Sequence, residues 1–335
     1  PYCNAFHPPA KSGVKRGNTA MDAVFPRPDW RAVFECKWEL DLLALFLTLC
    51  NEYVHYSGGD LSFVNEKWVS ALRKVLIVLQ RESQPSFDPE TGAALRFFYS
   101  FQRQTTIGSE TLPLGGVGNP VNFGTGLIRS AFRPSDDATL LQFFVPANAH
   151  MVTELRALRN YFNQESFPGM NYQQLYDIID QLAEGIQSGI EAYGVQTHPV
   201  WGKVFAYEVD GYGGAVYMDD ANVPSLLLLP DLGFVDQDDE IYQNTRKMIL
   251  SKSGNPYYLK GDHFEGIGGP HIGIQNAWPM SLLIKMRTSN DDEEILSALD
   301  LIMRSTNGLG LMHESVHVDA PNGMSFTRLW FAWCN

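Results

Sequence analysis

Three short segments carry residue types that could do chemistry. The stretch 308–323 packs Gly308, Gly310, His313, Glu314, His317, Asp319, Pro321, Asn322 and Gly323 into sixteen residues, with Arg328, Trp330 and Trp333 close behind. Between His313 and Gly323 the only clear hydrophobes are Val316 and Val318, so core packing is not the expected purpose of this loop. Loops dense in carboxylate, imidazole and glycine are where a rigid scaffold tends to place a site. The other two segments are Asp136-Asp137-Ala138 and Asp219-Asp220-Ala221. Carboxylates on three separate loops suit glycoside hydrolysis, which needs one carboxylic acid to protonate the leaving oxygen and one carboxylate as base or nucleophile.

Each Asp-Asp-Ala triplet opens a stretch with helical patterning. An N-cap plus a first-turn acid answering the helix dipole would explain one Asp of each pair. A second adjacent Asp exceeds what capping needs, and a neighbouring like charge raises one pKa, as a general acid requires. On residue type alone Asp136, Asp137, Asp219 and Asp220 are equal candidates for that acid.

His313-Glu314-Ser315-Val316-His317 also spells H-E-x-x-H, the zinc-peptidase signature. That chemistry needs both imidazoles on one face of a helix, beside a general-base glutamate. Gly308 and Gly310 upstream and Asp-Ala-Pro-Asn-Gly from 319 are turn chemistry instead. A third ligand is missing as well, since no Glu follows 314 and no His follows 317. The expectation is that no metal is bound.

Aromatic rings at Phe132, Tyr212, Tyr217 and Trp278 lie near these loops and could face a sugar, although most aromatics are core. His271, in Gly268-Gly-Pro-His-Ile-Gly273, is exposed by its loop and could contact a ligand or make a structural hydrogen bond. Glu39 and Asp41 are expected on a solvated helix face, with a place in the cleft the minority reading. Gly115-Gly-Val-Gly118 lacks a following phosphate-cradling helix, and no Gly-x-Ser-x-Gly elbow is present.

The chain that must position these groups has 335 residues, 44% hydrophobic and 19% charged, which suits a globular protein with a sizeable core. A net charge of −13 argues against nucleic-acid binding, while a neutral carbohydrate has no charge to repel. The longest apolar run, 42–50, is too short to span a membrane. Four scattered cysteines do not make a disulfide framework, and Cys36 and Cys50 are expected as core residues. No residue sets an oligomeric state; a secreted or secretory-pathway location is favoured over a cytoplasmic one.

Helical periodicity dominates. Segments 35–54, 61–81 and 172–193 carry clear apolar stripes, and 138–163, 236–251, 277–289, 291–305 and 324–334 weaker ones. Pro146 is expected to kink or split the 138–163 helix. One strand pair is expected, 204–209 with 215–218, and 1–30 is expected to be an irregular arm. Helices alternating with long polar loops predict an all-α ring of helical hairpins with one small β-hairpin, in one domain over residues 1–335.

Several blocks resemble glycoside hydrolase family 125. They are Phe132-Arg-Pro-Ser-Asp-Asp-Ala138, Tyr217-Met-Asp-Asp-Ala-Asn-Val-Pro-Ser225, Ile241-Tyr-Gln-Asn-Thr-Arg246, Gly268-Gly-Pro-His271 and Gly310-Leu-Met-His-Glu-Ser315. Pro1-Tyr-Cys-Asn-Ala-Phe6 and Lys37-Trp-Glu-Leu-Asp41 are similar too. The resemblance implies an (α/α)6 toroid and an exo-acting α-1,6-mannosidase that inverts without a metal or other cofactor. It makes Asp137 the general acid and Glu314 the general base, acting on a mannose-containing oligosaccharide. Arg133, Asp136, Asp219, Asp220, Asn222, His271, Trp278 and His313 are expected to bind hydroxyls or tune the two acids. The family's upstream Trp-Leu-Arg-Asp-Ser block is absent here, so the first helices of the ring are expected to be missing from this chain. A zinc peptidase and a non-catalytic mannoside-binding relative are the alternatives.

Overall fold

A computed structural model describes residues 1–13, 15–162 and 172–335. The chain divides into two compact units, one of residues 1–194 with 208–215, the other of 195–207 with 216–335. The position 163 that ends one expected helix lies outside the described residues.

The first unit is built on helices α1 (Leu40–Tyr56), α2 (Glu66–Glu82), the single turn α3 (Pro113–Gly116), α4 (Val145–Arg159) and α5 (Tyr172–Gly189). Leu40, Leu43, Ala44, Leu47 and Cys50 recur at helical spacing on α1 and are buried, with α1 and α5 both packed on α4. Asn65 caps α2 by accepting from Lys67 N and Trp68 N. Helix α5 meets the 125–127 loop so closely that a Cβ at Gly126 would lie 2.2 Å from Gly185 O. Pro146 stands in the first turn of α4, where its missing N–H has no partner to lose, so it starts this helix instead of kinking it.

The second unit holds α6 (Glu240–Ile249), α7 (Pro279–Arg287) and α8 (Asp292–Arg304). Asp239 caps α6 through Tyr242 N, and Asp291 caps α8 through Glu293 N. Asp292, Glu293 and Glu294 in the first turn of α8 and Arg304 in its last suit the helix dipole. A core of Leu259, Phe264, Ala277, Leu282, Ala298, Ile302, Val316 and Val318 sits beneath these helices. Val316 and Val318 therefore do serve core packing, contrary to expectation, and anchor the chain just after Glu314.

The all-α expectation is overturned. Helix takes 37% and strand 12% of the described residues, with six small sheets among them in place of one hairpin. Ala5–Phe6 pairs with Val33–Glu35 and Ala23–Phe25 with Ser100–Gln102, tying down the supposed irregular arm. The expected 204–209 strand is divided: Gly202–Phe205 pairs with Val195–His198, whereas Glu208–Val209 pairs with Phe143–Phe144. Strands of two to four residues are too short for a period-two pattern to show in sequence. Segment 324–334 is not helical either, but a series of turns. Cys36 is bonded to Cys3 in a disulfide ahead of α1, so only Cys50 of that pair is a free core thiol. No helix among the described residues is long and apolar enough to cross a membrane.

Candidate active site

Neither Asp-Asp-Ala triplet caps a helix. In the first unit, residues 132–138 form a tight turn closed by Arg133 N donating to Asp137 O at 2.8 Å and Asp136 N to Arg133 O at 2.9 Å. Asp136 takes φ = +67°, the left-handed conformation that a short polar side chain tolerates. This reversal sends the two aspartates opposite ways. Asp137 is 2% exposed, with Ser135 Oγ donating to its Oδ2 at 3.0 Å, while the Asp136 side chain is 53% exposed. Lys37 Nζ donates to Asp136 O at 3.0 Å.

Arg133 is buried, its Nε donating to Glu208 Oε1 at 2.6 Å, and Glu208 Oε2 accepts from Leu140 N and Leu141 N. Beside them, Asn4 Nδ2 lies 3.0 Å from Asp136 Oδ1 and 3.3 Å from Glu39 Oε1. Glu39 and Asp41 are buried, not on a solvated face. Burial, and then the charges of Asp41 and Asp136, pushes the Glu39 carboxyl well above the usual range. Burial pushes Asp41 up to about 7. Perturbed carboxyls of this kind concentrate at functional sites. Phe132 is core, packed edge-on to Phe101 with Lys37 Nζ over its ring.

In the second unit Asp219 Oδ1 and Oδ2 accept from Leu226 N and Leu227 N at 2.9 and 3.0 Å. Burial above all, with the charge of Asp220 adding, raises its carboxyl to about 8 against the opposing effect of those two amides. Asp220 Oδ1 accepts from Asn222 N and Nδ2, forming an Asx turn. Ala221 N donates to Gly268 O, and a Cβ at Gly269 would stand 3.2 Å from Asp220 Oδ2. The structure thus brings Asp219, Asp220 and Asn222 against the loop that carries His271. His271 is exposed, its ring edge-on to Trp278 at 6.0 Å, whereas Trp278 is buried between His271 and Phe331.

Glu314 is held in an extended segment that pairs with a returning one. Val316 bridges Phe326, His317 N donates to Ser325 O, and Thr327 N donates to Ser315 O. The Glu314 carboxylate is nearly buried. Thr327 Oγ1 donates to its Oε2 at 2.8 Å and Arg328 Nε to its Oε1 at 2.9 Å. His313 is buried with Nδ1 2.6 Å from Leu329 O, while His317 faces Gln275 and accepts from Asp319 N. An extended His313–His317 segment cannot set both imidazoles on one helical face, so the H-E-x-x-H match is not a zinc site.

A family model described as metal-independent alpha-mannosidase (GH125) matches residues 1–335. The chain belongs to this family. Among relatives of this GH125 chain is the meiotically up-regulated gene 157 protein of Schizosaccharomyces pombe, 53% identical over 336 residues. That match covers 100% of this chain and 64% of the relative, so the chain spans about two thirds of the curated relative's length. A solved structure of a Streptococcus pneumoniae metal-independent α-mannosidase, in a non-productive complex with α-1,6-mannobiose, superposes with a TM-score of 0.87 at 33% identity. It covers 100% of this chain and 73% of that one.

Sequence reasoning missed Asn4, Lys37, Glu208, Thr327 and Arg328 as partners of the GH125 carboxylates. Glu208 alone carried a usable signal, a lone acid within the apolar run 204–209.

Proposed function

We propose that this chain is an inverting exo-α-1,6-mannosidase that removes non-reducing terminal mannose from mannans or N-glycans. The match of residues 1–335 to metal-independent α-mannosidases carries the reading. The mannobiose held by the Streptococcus relative supports the linkage.

Asp137 is the general acid and Glu314 the general base. Asp137 protonates the glycosidic oxygen as the C1–O bond breaks. Glu314 takes a proton from a water that attacks C1 on the opposite face, so an α-linkage yields β-mannose. Inverting glycosidases as a class keep acid and base about 6.5–9.5 Å apart to admit such a water. Asp137 is the buried member of its pair, with Ser135 Oγ donating to its Oδ2. Glu314 meets only donors at its two named contacts, as suits a carboxylate. The Cys3–Cys36 disulfide supports a secretory setting over the cytosol.

The test is Glu314→Gln assayed on α-1,6-, α-1,2- and α-1,3-mannobiose. Wild type is expected to prefer the α-1,6 linkage, and the variant to lose on the order of 10²–10⁴ in turnover while still binding mannosides by calorimetry. A variant that keeps most of its activity removes Glu314 from the base role. A wild type that binds mannosides without hydrolysing them is a non-catalytic relative instead.

A further inference from the structure

His313 packs against the returning segment 326–329. Its side chain is fully buried, and its ring lies flat on Phe326, with centroids 4.1 Å apart and planes 4° from parallel. Nδ1 is 2.6 Å from Leu329 O and 3.2 Å from Arg328 O. A carbonyl only accepts, so Nδ1 carries the proton. Nε2 is buried with no hydrogen-bond partner among the described residues. The imidazole therefore grips the returning segment at two points, the Phe326 ring and the Leu329 carbonyl. The residues between those points are Thr327 and Arg328, which hold the two oxygens of Glu314. Thr327 has one hydroxyl proton and gives it to Glu314, so Ser315 Oγ, 2.9 Å away, is the donor to Thr327 Oγ1.

We propose that His313 is a positioning residue: a clamp that fixes 326–329 so that Thr327 and Arg328 present their donors to Glu314. The inference rests on Glu314 being the general base. The Arg328 side chain is 64% exposed, and holding a long exposed cation in one geometry costs side-chain entropy, a cost that a fixed backbone reduces. The ring supplies that constraint from the buried side. Cys334 also faces Glu314, its thiol pushed up to about 12 mainly by burial, with the Glu314 charge contributing. It stays uncharged through neutral pH, whereas Arg328 is a cation paired directly with Glu314.

The experiment compares His313→Ala, His313→Asn, Arg328→Ala and the double variant His313→Ala/Arg328→Ala. Two readouts are taken: the acidic limb of kcat/KM against pH, and the Glu314 titration by carboxyl ¹³C NMR, assigned by its absence in Glu314→Gln. Loss of a neighbouring cation disfavours the ionised carboxylate, so Arg328→Ala is expected to move both to higher pH by about half to one unit. His313→Ala should match that shift, and the double variant should add nothing to it. His313→Asn, which keeps a donor near the Nδ1 position, should bring both readouts back toward wild type. If His313→Ala does not fold, Phe326→Leu replaces it and should give an intermediate shift of the same sign. Unchanged readouts in His313→Ala or Phe326→Leu, or shifts that add in the double variant, overturn the clamp. The two readings fail separately. An active Glu314→Gln with a shifted ¹³C titration in His313→Ala removes the base and keeps the clamp; an inactive Glu314→Gln with an unshifted titration does the reverse.

Discussion

Arg133 Nε donates to Glu208 Oε1 across 2.6 Å, with both side chains buried. Glu208 also receives Leu140 N and Leu141 N, so one carboxylate joins the strand Glu208–Val209 to both sides of the turn that presents Asp137. Glu208→Ala removes one acceptor from a buried guanidinium and the partner of two amides. It is expected to lower the unfolding free energy in urea by about 3–5 kcal/mol, with Glu208→Gln milder. A loss below about 1 kcal/mol would show that this pair acts like a surface ion pair.

The Cys3–Cys36 bond closes a loop with a sequence separation of 33 and sits beside Asn4, which touches both Glu39 and Asp136. Cys3→Ser is expected to lower stability by about 2–4 kcal/mol and to reduce kcat by loosening the surroundings of Asp136. Dithiothreitol should reproduce both effects in wild type and neither in the variant. Equal sensitivity of the two proteins would disconnect the effect from this bond.

Asp219 gives a pH signature. Burial raises its folded carboxyl to about 8 from the ordinary aspartate value of 3.8, so between those values the folded state binds the extra proton. Its contribution to stability is greatest below about pH 4 and declines as pH rises toward 8. Asp219→Asn cannot ionise, so the melting temperature of wild type should fall relative to this variant over that window. A difference between the two that does not change with pH would contradict the assignment.

The long helices were legible because a 3.6-residue stripe of Leu, Ile and Val survives in α1, α2 and α5. The short pairings were not, because their partners are remote and their strands hold two to four residues. Segment 324–334 shows why: Phe326 and its apolar neighbours mimic helical spacing, yet Phe326 faces the His313 ring and Thr327 faces Glu314. Asp136 and Asp137 are indistinguishable by type. Only the left-handed φ of Asp136 turns one outward and buries the other. Glu39 and Asp41 looked like a wet helix face because their spacing says nothing about Asn4 or Asp136, which approach from far along the chain.

The most direct test of the two-carboxylate account is proton NMR of the first mannose released from an α-linked mannoside, read before mutarotation. Attack by a water opposite the bond that Asp137 protonates predicts β-mannose as the initial product. Initial α-mannose would mean a double displacement, and would remove Glu314 from its role as the base of an inverting enzyme.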